Sequence, residues 1–367
     1  SCMTTCPGGV DYMHLVDHAR AHIEETGQRS LKERLVRRLL AFVIPDPNRF
    51  RYAILLARLG RPFRNVTQRL GFPEFVAMLD LAPKTLPARA KYAGPGTAQT
   101  IGARKKRVLL LPGCAQQVLR PEINDATIRL LAKRGVEVIV AAGSGCCGAL
   151  VQHMGKTSEA MVHAKRNVDA WIKEIGRGPI DAIIVNASGC GTTVKDYGHL
   201  LKREAGYEES AEKISSLAKD VSEFLSGYDM GPPKRWSSLR VAYHSACSLQ
   251  HGQSISEEPS ELLRKAGFTV VEIAEGHICC GSAGTYNILQ RELAGKLLER
   301  KVANIAKAKV DVVAAGNIGC ITQIASATQV PIVHTVELLD WAYGGPIPRG
   351  LEHLKERVSQ VPEPVRA

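Results

Sequence analysis

Apolar residues follow two different spacings along the chain, and the change between them divides it into two parts. Over about the first 80 residues they recur every three or four positions, the spacing of an amphipathic helix. Helices are predicted at 11–25, 34–42 and 50–59, with breaks at 44–47 and 60–62 that contain Pro and Gly. We therefore expect this first part to be helical.

From residue 107 onwards, short apolar runs alternate with longer amphipathic segments. A segment rich in Pro, Gly, Ala and Lys at 83–106 precedes them and is predicted to be a linker. Strands are predicted at 107–111, 136–141, 181–186, 239–244, 269–273 and 311–316. Helices are predicted at 123–133, 158–175, 259–266 and 289–308. This alternation predicts an α/β fold of parallel βαβ units with right-handed crossovers.

The spacing of the cysteines indicates that the α/β part is an internal repeat. In each copy a cysteine is followed 32 positions later by a Cys-Cys-Gly sequence, and a last cysteine comes 43 or 40 positions after that pair. The two sets are Cys114, Cys146, Cys147, Cys190 and Cys247, Cys279, Cys280, Cys320. Two tandem copies of one domain, offset by about 130 residues, are predicted.

The four cysteines of each copy directly follow the predicted strands. In open α/β sheets the crevice at the carboxyl ends of the strands is where ligands bind, so the four thiols of a copy are expected to converge there. Glycines beside them leave room for a bulky inorganic centre and let backbone N–H groups reach its sulfur atoms. Four thiolates suit an iron–sulfur cluster or a tetrahedral zinc ion.

Other interpretations of these cysteines explain less of the pattern. A single buried cysteine is usually a small apolar residue, and a Cys-Cys pair can form a strained disulfide, but neither accounts for four thiols repeated in register. Structural zinc sites normally use short C-x2-C knuckles, and the chain has none. The pattern favours an iron–sulfur cluster and leaves zinc as the alternative.

Two further features near the cysteines bear on metal binding. Cys2, Cys6 and Pro7 reproduce the C-x3-C-P end of a bacterial ferredoxin motif, whose last cysteine binds the second cluster of a pair. Histidines at 153, 163, 244, 251 and 277 lie near the cysteines in sequence. They are either loop residues bonded to the backbone or supporting groups and spare ligands of the centre, and His244 is the strongest candidate for the second role.

Composition narrows the range of functions further. The 367 residues are 45% hydrophobic and 23% charged, ordinary values for a globular protein, and no apolar run is long enough to span a membrane. The net charge of +12 suits an anionic partner, but no nucleic-acid-binding spacing is present. The basic run at 34–38 is predicted to be a solvated helix face, with membrane contact as the alternative. No Gly-rich nucleotide motif appears.

The cysteine repeat resembles the paired cysteine-rich CCG domains of the heterodisulfide reductase type. The whole chain resembles the iron–sulfur subunits of bacterial glycolate oxidase (glycolate dehydrogenase), through CMTTCPGGVDYMHLVDHAR (2–20), HSACSLQHGQ (244–253), ICCGSAGTYN (278–287) and GNIGCITQI (316–324). Subunits for lactate oxidation and anaerobic glycerol-3-phosphate dehydrogenase have the same layout. Unlike the heterodisulfide reductase domains, each copy here ends in one cysteine rather than C-x2-C, so a four-thiolate centre is expected.

The resemblance implies an electron-transfer subunit of an oxidoreductase, with no catalytic side chain of its own. The eight cysteines of the repeat would bind 4Fe-4S clusters, and Cys2 and Cys6 would be metal ligands inherited from a ferredoxin domain. FAD would oxidise glycolate on partner subunits, and electrons would continue to a membrane acceptor such as quinone. A cytoplasmic location follows, with a peripheral contact at the inner membrane as an extension. The alternatives are the lactate or glycerol-3-phosphate counterpart and a zinc-binding structural subunit.

The resemblance also sets the expected domain organisation. Residues 1–82 are expected to be the helical end of a truncated ferredoxin domain, in which Cys2 and Cys6 alone are too few to hold a cluster. A linker at 83–106 would lead into Rossmann-like CCG domains at 107–235 and 236–345, followed by a tail at 346–367.

Overall fold

The N-terminal region is helical, as the spacing predicted. The computed structural model describes residues 2–27, 29–83, 85–91 and 94–360, except the side chains of Cys2 and of residues 358–360. The helices are α1 (Cys2–Thr5), α2 (Tyr12–Thr26), α3 (Leu31–Val43), α4 (Pro47–Gly60), α5 (Arg64–Arg69) and α6 (Pro73–Leu81), with a 3-10 turn at Arg61–Phe63. No helix of the described residues is both long and apolar enough to cross a bilayer.

The helix boundaries follow from local capping. The side chains of Asp11, Ser30 and Asp46 accept backbone N–H groups at the starts of α2, α3 and α4, and Pro47 occupies the first turn of α4. Helix α3 buries Val36 and Leu40 in a small core with residues from both later halves of the chain. The helical region thus rests on the α/β part without joining its sheets.

The first α/β half contains one sheet and eight helices among the described residues. Its strands are β1 (Gly96–Ala98), β2 (Lys106–Leu111), β3 (Val136–Val140), β4 (Ala182–Val185) and β5 (Ala218–Asp220), in the order β1-β3-β2-β4-β5. Its helices are α7 (Gln116–Leu119), α8 (Glu122–Ala132), α9 (Ala149–Gln152), α10 (Thr157–Ile175), α11 (Ser188–Lys195), α12 (Tyr197–Leu200), α13 (Glu208–Leu217) and α14 (Val221–Ser226). All neighbouring strands are parallel except β1, which pairs antiparallel with β3.

The second half repeats this arrangement. Its strands are β6 (Arg235–Ser237), β7 (Arg240–His244), β8 (Thr269–Val271), β9 (Val312–Ala315), β10 (Ile332–His334) and β11 (Val358–Gln360), and β7 to β10 form a parallel sheet in the order β10-β9-β7-β8. Its helices are α15 (Cys247–Gln250), α16 (Glu258–Lys265), α17 (Tyr286–Leu289), α18 (Arg291–Lys307), α19 (Ile318–Ala325) and α20 (Thr335–Ala342), with a 3-10 turn at Glu352–Arg357. Strands β6 and β11 pair separately.

The strand order confirms the predicted tandem repeat. Strands β3-β2-β4-β5 of the first sheet correspond to β8-β7-β9-β10 of the second, and in register Val108 lies between Val138 and Ala182 as Val241 lies between Val270 and Val312. One difference from the sequence prediction is β1, which lies in the segment predicted to be a linker and forms the edge of the first sheet. Three residues are too few to produce a recognisable apolar alternation.

The two halves pack through equivalent pairs of helices. Helix α8 of the first half contacts α20 of the second, and α16 of the second half contacts α14 of the first. A single apolar core runs through both halves, because Val108 and Leu110 on one face of β2 join residues of the second sheet. Polar contacts cross the same boundary, since Arg129 bonds Asp340 at 2.7 Å and Arg120 bonds Glu337 at 3.2 Å. The halves therefore form one packed unit.

A buried capping box opens each of the two interface helices α14 and α20. Asp220 and Glu223 cap α14, while His334 and Glu337 cap α20 at the equivalent place. His334 also donates from Nε2 to Asn186 O of the first half at 2.8 Å, and its Nδ1 accepts the Val336 N–H. Burial lowers the pKa of His334 to about 4, so the ring is neutral and links the halves.

Candidate metal centres

The first set of four cysteines meets at the carboxyl ends of the first sheet's strands. Cys114 follows β2, Cys146 and Cys147 lie between β3 and α9, and Cys190 is in the first turn of α11. Their thiols touch in the order Cys114, Cys146, Cys147, Cys190 through sulfur–sulfur hydrogen bonds. The nine cysteines whose side chains are described are all free thiols. Four sulfur donors thus converge in the first half.

Hydrogen bonds within this first set concentrate negative charge on one sulfur. The thiols of Cys114 and Cys147 donate to the Cys146 sulfur and lower the pKa of Cys146 well below its usual range. The same bonds, together with burial, raise the pKa of Cys114 and of Cys147. A group of buried sulfur atoms that stabilises a thiolate is suited to bind a metal cation that prefers sulfur ligands.

The backbone around Cys146 and Cys147 is held in place by polar partners. Gly148 donates its N–H to Cys146 Sγ at 3.4 Å, and its φ of +88° is the left-handed conformation that favours glycine. Asn167 Nδ2 donates to Cys146 O at 3.0 Å, and the Tyr197 hydroxyl donates to Cys147 O at 2.9 Å. These bonds fix the peptide groups that aim the two thiols.

The second set of cysteines repeats this geometry in the second half. Cys247 opens α15, Cys279 and Cys280 lie between β8 and α17, and Cys320 is in the first turn of α19. Side-chain hydrogen bonds join Cys247 to Cys279, Cys279 to Cys280, and Cys280 to Cys320. The bond from Cys247 lowers the pKa of Cys279 to about 2, and the bond from Cys280 lowers that of Cys320 to about 6.

The loop of the second set uses the same glycine device as the first. Gly281 donates its N–H to Cys279 Sγ at 3.3 Å and has a φ of +89°. A Cβ atom placed on Gly281 would lie 2.5 Å from Ala294 O, and one on Gly148 would lie 3.0 Å from Ala160 O. Both loops therefore require glycine for the backbone conformation and for close contact with a helix.

The five histidines singled out in the sequence differ in their burial and in their contacts with the cysteines. His244 is buried at the end of β7, where its ring nitrogen lies within 4.8 Å of the Cys280 and Cys320 sulfurs. His163 lies near Cys146 and helps to lower the pKa of that thiol. The remaining three are partly or fully exposed: His251, which bonds the Thr4 hydroxyl at 2.7 Å, His153, which pairs with Asp17 at 3.6 Å, and His277.

Cys6 makes contacts of its own near the N-terminus. The Cys6 thiol contacts the backbone N–H groups of Val10 and Gly8, which lower its pKa. The side chain of Cys2 is outside the described residues, so the prediction that Cys2 and Cys6 are ligands stays a prediction. The contact between Thr4 and His251 puts this segment beside the second set.

Hydrogen bonds across the boundary between the halves join loops that carry cysteines of the two sets. Ser188, two residues before Cys190, accepts a hydrogen bond at Oγ from Asn317 Nδ2 at 2.9 Å and lies 2.7 Å from the Ser248 hydroxyl. Asn317 in turn caps α19, which carries Cys320, and Ser248 follows Cys247. The loops that present three of the eight cysteines are therefore bonded directly to one another.

Sequence reasoning missed the groups on the long helices that support the two sets. Asn167 on α10 and Lys301 on α18 stand at equivalent positions, counted from Ala160 and Ala294, and both are buried. Lys301 Nζ donates to the backbone oxygens of Glu275 and Gly276 at 3.1 and 3.4 Å. The repeat itself carries the signal: when the two long helices are aligned, polar Asn167 and Lys301 occupy the same position.

The basic run at 34–38 is partly structural. Arg37 is buried, donates to Met154 O at 2.7 Å and pairs with Glu24 at 3.3 Å, whereas Arg34 and Arg38 are exposed. The prediction of a wholly solvated face is therefore wrong at Arg37. The basic segment covers a full turn of helix α3, so one of its residues must face the α/β part against which the helix packs.

Both α/β halves, and most of the chain, are similar to known proteins. The family profile of the cysteine-rich domain, CCG, matches residues 108–195 and again 241–325. The chain is 36% identical over 342 residues to the "Glycolate oxidase iron-sulfur subunit" of Escherichia coli (strain K12), covering 93% of this chain and 80% of that protein. It is 31% identical over 363 residues to the "Probable glycolate oxidase iron-sulfur subunit" of Bacillus subtilis (strain 168), with 94% and 81% covered. A more distant relative is "Lactate utilization protein A" of Oceanobacillus iheyensis, 24% identical over 242 residues, with 64% and 96% covered.

Proposed function

The chain belongs to the family of iron–sulfur subunits with paired CCG domains, and we propose that it is the electron-transfer subunit of a glycolate dehydrogenase complex. The observation that carries this proposal is the convergence of four free thiols in each half, at equivalent places in two sheets of the same strand order. Two such sites in one chain would give electrons two successive positions between a donor and an acceptor.

We propose that each set of four cysteines holds a 4Fe-4S cluster. The residues fit, because the thiols are mostly buried, Cys146 and Cys279 are stabilised as thiolates, and a glycine N–H points at each of these two sulfurs. When bound, such a cluster accepts and releases one electron at a time. Zinc is the competing occupant, because four thiolates, or thiolates with the nearby His244 imidazole in the second half, also suit a tetrahedral zinc ion.

The path between the two centres would run across the boundary between the halves. Ser188, Ser248 and Asn317 tie together the loops that carry Cys190, Cys247 and Cys320. Direct hydrogen bonds of this kind hold the loops at a fixed separation, which keeps the distance for electron transfer constant. A chain that only stored metal would have no need of paired sites held in this way.

Partner subunits are proposed to bind the N-terminal helices. Among the described residues, 17 of the 21 large apolar side chains that are exposed lie between Val10 and Phe75. A concentration of this kind on one region marks a protein interface rather than an ordinary surface. We propose that FAD-containing subunits, which would oxidise the substrate, cover part of this region. We propose quinone as the membrane acceptor of the electrons. The net charge of +12 would favour binding of the chain to an anionic membrane surface.

Glycolate is the proposed substrate of the complex, with lactate as the alternative. The relatives named for glycolate oxidase are 36% and 31% identical over nearly the whole chain, whereas the lactate utilization relative is 24% identical over 64% of it. The substrate itself would bind to a partner subunit, so the choice depends on the complex and not on residues of this chain.

The test is reduction of the chain by substrate through its partners. The tagged chain is purified anaerobically with the flavoproteins that accompany it, and the EPR signals of reduced clusters, which flavin does not give, are recorded after addition of glycolate, lactate or glycerol 3-phosphate. Glycolate is expected to produce these signals, and the double variant Cys147→Ser, Cys280→Ser is expected to give none. Signals produced by lactate or glycerol 3-phosphate alone would overturn the substrate. A double variant that gives no cluster signal and still passes electrons from glycolate to an added quinone at the full rate would overturn the electron-transfer role.

A further inference from the structure

The two sets of cysteines differ at one buried position beside the sulfurs. His244 ends β7 and precedes Cys247 by three residues, while Leu111 ends β2 and precedes Cys114 by the same interval. Both side chains are about 1% exposed. The first centre therefore has an aliphatic wall where the second has an imidazole.

The His244 ring lacks a hydrogen-bond partner of ordinary geometry. Its Nδ1 and Nε2 are both shielded from solvent, and the contact with the Cys320 thiol is the one polar side-chain contact of the ring among the described residues. A buried polar atom without a partner costs about 1–3 kcal/mol, so it is normally satisfied by water, a ligand or a metal ion. His334, a second buried histidine, bonds through both nitrogens.

The ring lies where a metal ligand would lie. One imidazole nitrogen of His244 and the sulfurs of Cys280 and Cys320 are all within 4.8 Å of one another, and all three residues are buried. This is the one group of three such donors found among the described residues. Imidazole nitrogen binds iron and zinc, and histidine replaces cysteine on one iron of some iron–sulfur centres, where it raises the reduction potential.

The surroundings of the second set also contain a buried basic side chain. Lys301 is about 1% exposed and stands where the first half has the neutral Asn167. Burial lowers the pKa of Lys301, and the nearby Cys280, Cys279 and Cys320 thiols oppose that shift in part. A centre with a histidine donor and a buried lysine is electrostatically unlike one with leucine and asparagine in those places.

We propose that His244 supplies a nitrogen ligand to the second metal centre, so that the two centres of this chain have different donor sets. At the second centre His244, beside Cys280 and Cys320, would add a nitrogen ligand to the four sulfurs of its own half, and the first centre would be bound by its four sulfurs alone. The second centre is then the one with the higher reduction potential, which gives electron transfer between the two a direction. This inference rests on the proposed presence of clusters in both halves.

The test reads the ligand directly by pulsed EPR of the reduced holoprotein. Protein labelled only with ¹⁵N-histidine is compared with unlabelled protein, and a nitrogen coupling that changes with the label is expected in one of two cluster signals. His244→Leu, which installs the residue of the first half, is expected to abolish that coupling and lower the potential of the same signal. His277→Leu, an exposed histidine two residues before Cys279, is the matched control and is expected to change neither.

Each outcome bears on either this inference or the proposed function. Two cluster signals without a strong histidine coupling, or with one that survives in His244→Leu, would overturn the inference and leave the proposed function standing. If anaerobic protein contains zinc and no iron, the proposed function fails. X-ray absorption at the zinc edge then tests the inference alone, since a nitrogen ligand lost in His244→Leu supports it and an all-sulfur shell overturns it. The isotope comparison uses the natural sequence, so it does not depend on folding of the variant.

Discussion

Substitution of Gly281 by alanine tests the account of how the second set of thiols is aimed. Gly281 has a φ of +89°, and an added Cβ would lie 2.5 Å from Ala294 O on α18. A non-glycine residue in the left-handed region costs about 1–2 kcal/mol. Overpacking against backbone costs about a further 1–3 kcal/mol. We expect Gly281→Ala to lower the free energy of unfolding by about 2–5 kcal/mol.

The same change should reach the metal. Relief of the contact must move the loop or α18, and the Gly281 N–H then leaves Cys279 Sγ, which it meets at 3.3 Å. Iron bound by the second half should therefore fall, while the first half keeps its share. Urea unfolding of the metal-free chain gives the stability, and anaerobic iron analysis of the protein as purified gives the occupancy.

Two further glycines calibrate the result. Gly148→Ala in the first half should cost less than Gly281→Ala, because its Cβ would be 3.0 Å from the nearest oxygen rather than 2.5 Å. Gly295→Ala on α18 meets nothing within 4 Å and should stabilise the chain by about 0.5–1 kcal/mol, as expected for alanine in a helix. If Gly281→Ala is as stable as the natural chain and keeps its iron, the reasoning from glycine geometry is refuted.

Three other predictions concern the boundary between the halves and the N-terminal surface. Arg129→Met should lower the free energy of unfolding, measured in urea, by about 2 kcal/mol. It leaves the buried Asp340 carboxylate with Lys133, at 3.7 Å, as its one cationic partner among the ion pairs of the described residues. Burial raises the pKa of Asp220 to about 6, so its ionisation opposes folding as pH rises through 4 to 6. At pH 7.5 the free energy of unfolding of Asp220→Asn should therefore exceed that of the natural chain by up to about 3 kcal/mol, and this difference should shrink towards pH 4. Leu56→Glu should leave stability unchanged and weaken capture of the flavoprotein partners in pull-down assays, because this side chain is exposed.

Matched variants and opposing results accompany these three. Arg300→Met breaks an exposed pair with Glu275 and should leave the free energy of unfolding nearly unchanged, so an equal loss in both arginine variants would contradict a special role for the boundary. A gap for Asp220→Asn that is the same at pH 4.5 and 7.5 would show that its carboxyl is not perturbed. Leu293→Glu, on an exposed part of α18, should not affect partner capture, and equal loss in both leucine variants would contradict the proposed interface.

The sequence was most informative where a chemical constraint repeats. The spacing of eight cysteines predicted two equivalent sheets and the convergence of four thiols in each, because strand ends fix where such residues lie. Strands β1, β5 and β10 were not predicted, since each has three residues and is held by pairing with a neighbour rather than by its own pattern.

Supporting contacts between distant segments were beyond what sequence patterns reveal. Asn167 and Tyr197 meet the peptide groups of Cys146 and Cys147 from two different helices, and no local spacing links them. His244 was singled out for its place beside Cys247, and the same count places Leu111 in the other half, but only the fold shows that the His244 ring is buried against Cys280 and Cys320 with no hydrogen bond of ordinary geometry. These are tertiary facts, and they carry the difference between the centres.

The central claim is that each half binds its own iron–sulfur centre through its four cysteines. The most direct measurement is iron and acid-labile sulfide per chain, with EPR of the reduced protein, for the anaerobically purified natural chain and for Cys147→Ser, Cys280→Ser and the double variant. We predict two cluster signals, of which each single variant loses a different one and the double variant loses both. Stoichiometric zinc with no signal after reduction, or iron content that none of the three variants changes, would contradict the account.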